Sequence, residues 1–372
     1  MQTSLFTRSA MRARSKVFWA GLLRFSGILS LAKTWVRRRG AIVLTFHRVL
    51  GDADLQHTAS LPGMVVRQET FNSFLRYAAE KCEFMDLSCD PDWRPSSRLK
   101  LAVTFDDGWS DNASTAFPIA QNHRAPMLIF IVPAKMGTAL PFWPERAASV
   151  LEQSVGAGSH GADRGYVEQQ IENLKGLPAA VRNQRLGQLV AEHGESSSSP
   201  QVDTTMTWEQ AARLQGGGVI FGSHTVTHEI LTVIPLTQAE EEIAGSRMRI
   251  EQKLETPCRL FSYPNGDCSN DVRDLVMHAG YSFAFLNQDP GVWTHDCDPY
   301  LIPRVNVCEY HMVNAKGKFS PLIFEYAVVW SAAKGLLAQR WTNMFQRLRR
   351  KWRGGVDELS APSSKNPLEK SS

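Results

Sequence analysis

VTFDDG, residues 103–108, closes an apolar run with two adjacent aspartates and a glycine. Neighbouring carboxylates repel and add nothing to a strand ladder, so their position at a strand exit asks for a positive partner. The run itself, LAVTF (101–105), has counterparts at AIVLTF (41–46), MLIFIV (127–132), GVIFG (218–222), RLFSY (259–263) and YSFAFL (281–286). Helical patterns at 69–82, 110–123, 207–215, 236–254 and 271–280 lie between them, with Thr207 and Thr237 as N-caps and Gly280 as a helix stop. Near-continuous apolar strands alternating with helices predict a parallel sheet buried on both faces, as in a barrel or a doubly wound α/β fold. In such barrels chemistry collects on the loops that leave the C-terminal ends of the strands. Asp106 and Asp107 lie at one of those ends.

The chain has 372 residues, with 43% hydrophobic and 21% charged, ordinary values for a globular α/β protein. No run of eighteen uncharged apolar residues occurs, which speaks against a membrane-spanning helix. The net charge of +4 conceals a segregation. Residues 1–40 carry nine Lys/Arg and residues 334–353 carry seven, both without an acid, whereas residues 41–333 hold 23 basic and 34 acidic residues. An acidic body makes nucleic acid a poor partner, while basic ends suit an anionic membrane surface. Both ends also interleave Trp, Phe and Leu with the basic residues, at 17–35 and 336–352, the pattern of interfacial helices. Two surface helices packed on the domain would carry the same pattern. A secretory signal fits less well, because Arg24 interrupts its apolar stretch and no small-x-small site follows. Six scattered cysteines without a CxxC pair suggest reduced thiols and a cytoplasmic protein, which its basic ends could place peripherally on the inner membrane face.

After GVIFG comes SHTVTH, with His224 and His228 four apart. That spacing lets two imidazoles on one helical face converge on a divalent ion, although a helix-surface pair has the same spacing. Two imidazoles and one carboxylate would leave coordination positions open for water and substrate, as catalytic zinc favours.

TFDDG, SHTVTH and the later YPNG (263–266) together resemble the polysaccharide deacetylases of carbohydrate esterase family 4, the NodB-homology domain. The similarity runs over about residues 41–310 and includes TFHRV (45–49), FNSFL (71–75), FWPE (142–145) and TWEQAARL (207–214). The resemblance implies a deformed (β/α) barrel and hydrolysis of N-acetyl groups on an amino sugar of a polysaccharide or glycan precursor. It implies Asp106 as general base, and Asp107, His224 and His228 as ligands of a divalent metal, zinc foremost. It also implies the backbone N–H of Asn265 as the oxyanion donor.

Two departures stand out. Many relatives have an arginine two residues before the YPNG proline, where this chain has Ser262; Arg304 in IPRVN (302–306) is the candidate replacement. The late Leu-x-x-His motif that supplies the family's acid is not evident. His47 in TFHRV resembles the early acid histidine of circularly permuted members, and it also fits a satisfied buried histidine. Trp109, Phe142 and Trp143 are candidates for stacking on sugar rings.

The expected organisation is a basic amphipathic segment at 1–40 and the deacetylase barrel at 41–315 with an insertion, possible lid material, at 142–206. A basic C-terminal helix at 316–354 and a disordered tail at 355–372 complete it. Deformylation or O-deacetylation of a lipid-linked sugar is the alternative activity, and a non-catalytic carbohydrate-binding protein the alternative class.

Overall fold

The computed structural model describes residues 15–94, 96–139, 142–155, 162–194, 202–287 and 291–338. The expected tail at 355–372, SSSSP at 196–200 and the end of the basic C-terminal segment lie outside the described residues.

Six parallel strands form the wall: β1 (Gly40–Phe46), β5 (Leu99–Phe105), β6 (Met127–Ile131), β7 (Ile220–Ser223), β8 (Leu260–Ser262) and β9 (Phe283–Phe285), paired in that order. They are the six apolar runs read from the sequence. Short strands complete the set: β2 (Arg48–Leu50) pairs with β3 (Val65–Arg67), β4 (Cys82–Phe84) with β5, and β10 (Trp293–Thr294) antiparallel with β1.

One irregular stretch joins the two edges of the wall. Ile302 bridges to Phe285 of β9, and β11 (Val305–Asn306) pairs with Leu44 and Thr45 of β1. The protein is therefore a deformed (β/α) barrel closed by residues 302–306.

The two-residue period of the strands sorts their side chains. Ile42, Leu44 and Phe46, with Leu101, Val103 and Phe105, and Met127, Ile129 and Ile131, pack outward under the helices. Ala41, Val43, Ala102, Leu128, Phe130, Leu260, Phe285 and Ile302 share a separate cluster inside the barrel. Continuing the inner columns past the strand ends leads to His47 on β1, Asp106 on β5, His224 on β7, Ser262 on β8 and Arg304 on the closing stretch. The pleat aims all five at the same mouth.

The outer layer contains α1 (Ile28–Arg39), α2 (Gln68–Lys81), α3 (Phe117–Asn122), α7 (Trp208–Gly216), α8 (Leu236–Leu254) and α9 (Asn270–His278). Thr207 caps α7 through a capping box with Gln210. Thr237 is not an N-cap, because α8 begins at Leu236 after Pro235, whose fixed φ already suits a helix entry. The region between β6 and α7 holds three further helices, α4 (Trp143–Val155), α5 (Ala162–Lys175) and α6 (Ala179–His193), with a small core of their own built on Ala147, Leu151, Val167, Ile171 and Leu186.

Candidate active site

Asp106 is still on the ladder, its N–H donating to Phe46 O at 3.0 Å, so its side chain follows the inner column. Arg304 donates to it through both terminal nitrogens, at 2.8 Å to Oδ1 and 2.7 Å to Oδ2. This is the bidentate fork that a guanidinium makes with a carboxylate. The guanidinium also donates to Ser262 Oγ at 2.7 Å, to Thr104 Oγ1 at 3.2 Å and, through Nε, to Leu286 O at 2.8 Å. Its plane sits 5.2 Å from the Phe130 ring that fills the barrel below. Burial works against a charge on Asp106, but Arg304, then His224, outweigh it and hold the carboxyl well below the usual range. The small side chain at 262 leaves the space that Arg304 occupies from the opposite edge of the closed wall.

Asp107 departs from the column. Its φ of 74° is left-handed, and Gly108 follows at φ 73°, where an added Cβ would stand 2.9 Å from Ile131 Cγ2. Two successive left-handed residues turn the chain out of the strand, so the adjacent carboxylates face different neighbours. Asp107 Oδ2 accepts from Trp109 Nε1 at 3.1 Å, while its Oδ1 is buried without a hydrogen-bond partner. Oδ1 stands 3.7 Å from His224 Nε2 and 3.3 Å from His228 Nε2.

The histidines do not lie on a helix, contrary to the reading of their spacing. Ser223 ends β7, and residues 224–230 form a loop in which Thr225 (φ 64°) and His228 (φ 70°) are left-handed. The loop is pinned from α8, where Glu242 accepts from Thr227 N at 2.9 Å and Thr227 Oγ1 at 2.7 Å. His224 Nδ1 donates to Ser262 O at 2.8 Å; because a carbonyl only accepts, Nε2 is left with its lone pair facing Asp107. The rings of His224 and His228 are 4.9 Å apart. Left-handed conformations cost free energy for non-glycine residues, more so for β-branched Thr225. Among the described residues, four of the six such residues, Asp107, Thr225, His228 and Asn265, lie on the loops at this mouth.

One ligand atom each from Asp107, His224 and His228 lie within 4.8 Å of one another, a group able to hold a metal ion. Tetrahedral ligands at zinc distances stand roughly 3.3 Å apart, close to the observed separations. Burial, then Glu145 and Asp106 nearby, push Asp107 well above the usual carboxylate range. Burial and His224 push His228 well below the usual imidazole value. An orphaned carboxylate oxygen facing two neutral imidazoles fits a dication, which supplies the missing countercharge.

His47 is buried, with Nδ1 unpartnered, and lies within electrostatic reach of Asp106, Arg304 and His224. Burial, opposed by Asp106, lowers it from 6.5 to about 4. Its carbonyl accepts from Asn112 Nδ2 at 2.8 Å. Asn265, at the end of β8, has φ 60° and gives its side-chain amide to Asp267 at 2.6 Å. Gly266 follows at φ 80°, where a Cβ would meet Asn287 N at 2.5 Å.

The aromatic candidates behave differently from their reading as open stacking faces. Trp109 is 1% exposed, with Arg48 lying 4.3 Å over its ring and Phe142 against its edge. Phe142 is buried edge-on to His228 at 5.0 Å, and Trp143 carries the Arg182 guanidinium at 4.8 Å. Trp109 and Phe142 wall the centre instead of offering free faces to a sugar, while half-buried Trp143 packs on the helices of the insertion.

Two residues were missed. Arg48 is fully buried and binds Asp111 at 2.9 Å and also Asp203, tying the strand after β1 to the chain before α7. Glu145 is 2% exposed with neither carboxylate oxygen hydrogen-bonded, and burial raises it to about 7. An acid directly after the aromatic pair of FWPE was the available signal for Glu145.

Residues 94–284 match the family model for polysaccharide deacetylase. YxkH of Bacillus subtilis, a protein whose name is that of a polysaccharide deacetylase, is 20% identical over 216 residues, covering 58% of this chain and 54% of its own length. The chain thus spans about half the length of the curated relative it matches. Among solved structures, the Streptococcus pyogenes deacetylase PplD is similar at 14% identity and a TM-score of 0.49, covering 76% of this chain and 99% of that one. IcaB from Ammonifex degensii is similar at 17% identity and a TM-score of 0.46, covering 72% and 92%.

Proposed function

The chain belongs to the polysaccharide deacetylase family, and from that premise we propose that it is a divalent-metal-dependent hydrolase removing N-acetyl groups from an amino sugar of a polysaccharide or glycan precursor. The observation that carries this reading is the unequal treatment of the two aspartates. Asp106 is ionised and gripped by Arg304, while Asp107 turns an unpartnered oxygen toward two imidazoles.

In this reading Asp107, His224 and His228 hold the ion, zinc by preference for that donor set. When bound, the ion supplies Lewis-acid polarisation of the acyl carbonyl and acidifies the attacking water, so that a carboxylate as weakly basic as Asp106 can take its proton. Arg304 fixes both oxygens of Asp106 and keeps it charged. The amide of Asn265 is the donor for the carbonyl oxygen as it gains charge. His47 passes a proton to the leaving amine. Because burial keeps His47 neutral at pH 7, the proton that Asp106 takes from the attacking water must pass on to the imidazole before it reaches the leaving amine.

Acetate and formate release from a panel of N-acylated glycans, before and after chelation and zinc add-back, tests the proposal. Metal-dependent acetate release is expected. Release of formate alone would replace the acyl group in the reading, and turnover unaffected by exhaustive chelation would overturn it.

A further inference from the structure

The apolar residues that this chain leaves in solvent are not evenly spread. Among the described residues, seven of the fourteen exposed large hydrophobic side chains fall between 17 and 31: Val17, Phe18, Trp19, Leu22, Phe25, Ile28 and Leu31. Phe18 is 65% exposed, Phe25 94% and Leu31 71%, although each sits in or beside a helix with a buried face available. Phe18, Leu22 and Phe25 follow the i, i+4, i+7 spacing that puts side chains on one side of a helix. The opposite side is committed: Ala20, Leu29, Ala32 and Val36 are buried, and Ala32 and Val36 belong to the main core.

This helical pair is anchored. Glu325, nearly buried in the helix Pro321–Ala338, accepts from Lys33 at 2.5 Å, Arg24 at 3.2 Å and Tyr77 Oη at 2.8 Å. The helix Pro321–Ala338 is itself long and apolar enough to cross a membrane by length and composition. It instead buries Ile323, Phe324, Val328, Val329, Ala332 and Ala333 in the protein, so the exposed apolar face belongs to the helices before β1.

We propose that the face bearing Phe18, Trp19, Leu22, Phe25 and Leu31 docks on an anionic lipid surface. Charge selects this occupant. Residues 1–40 hold nine basic residues and no acid, and Arg38 and Arg39 are exposed at the end of the second helix. Apolar side chains enter the headgroup boundary while Arg and Lys meet lipid phosphates. A second copy of the chain would set the exposed Arg38 and Arg39 against their own copies, which like-charge repulsion opposes. The inference stands apart from the catalytic reading, since none of these residues lies at the barrel mouth.

The test is flotation of the full chain with phosphatidylcholine vesicles and with vesicles containing phosphatidylglycerol. Flotation with the anionic vesicles only, weakened by salt, is expected. Phe18→Ser and Phe25→Ser should each lower partitioning on the order of tenfold, the effect of withdrawing one aromatic side chain from lipid. Both positions are exposed, so the folded protein should keep its thermal midpoint. Leu236→Ser and Met248→Ser, exposed apolar positions elsewhere, should leave flotation unchanged. The proposal is overturned if the chain stays unbound with both vesicle types, if the Leu236 and Met248 variants lose binding equally, or if light scattering shows a lipid-independent dimer that Phe25→Ser dissolves.

Discussion

At the scale of the residue, the ion pair between Asp106 and Arg304 is the interaction with most at stake. Both partners are buried, so removing one leaves an uncompensated charge, at a cost of about 3–5 kcal/mol. Arg304→Met is therefore expected to lower the urea midpoint sharply. Arg304→Lys should recover part of the stability, yet keep kcat depressed on the order of 10²-fold, because an ammonium cannot hold both oxygens. Equal activity in Arg304→Lys and the parent protein would remove the positioning role. His47 gives a prediction with a definite sign. Its folded-state value of about 4 lies below the ordinary 6.5, so between those values the unfolded chain binds the extra proton. Stability attached to the neutral ring is complete above about 6.5 and is lost as pH falls toward 4. Relative to His47→Gln, the parent should lose about 3 kcal/mol between pH 7 and pH 4, measured as the difference in urea stability at the two values. A difference that does not change with pH would contradict the burial argument.

At the scale of the element, the loops after the strands do the positioning, and they were the least legible part of the sequence. The six wall strands were plain, because a stave buried on both faces must be apolar throughout. The spacing of His224 and His228 was readable but its conformation was not. A four-residue separation fits a helix, and only the left-handed Thr225 and His228 show that a pinned loop brings the rings together. The closing stretch 302–306 was hidden too, since two-residue strands carry no periodicity; Arg304 was identified as a candidate by its position in sequence, not by any sign of barrel closure. YPNG tests the importance of loop geometry directly. Gly266→Ala must force a Cβ into the Asn287 backbone at φ 80°, and is expected to cost about 1–3 kcal/mol and to reduce kcat more than KM worsens. Unchanged stability and kinetics would show that the loop relaxes freely.

At the scale of the whole molecule, loops from separate strands converge on one ligand group at the barrel mouth. An ion bound to the folded state alone stabilises it by mass action, about 2.7 kcal/mol at a hundredfold excess over Kd. Zinc addition should therefore raise the melting temperature of the parent, with no shift in Asp107→Asn, whose carboxylate is lost from the ligand group. The three-helix insertion meets the same centre through Phe142 and through Arg182, which binds Glu229 at 2.5 Å beside His228, so its attachment and the ligand loop are mechanically linked. The sequence marked this region as a break in rhythm but not as three helices with their own core, because its apolar positions are few and spread over separate short helices.

The central claim is that two adjacent aspartates divide the work, one holding the ion and the other accepting the proton. The most direct measurement is metal content and acetate release on the same preparations of Asp106→Asn and Asp107→Asn. The account predicts that Asp106→Asn retains close to one ion per chain with turnover abolished, while Asp107→Asn loses both together. Loss of the ion from Asp106→Asn with retention in Asp107→Asn would contradict it.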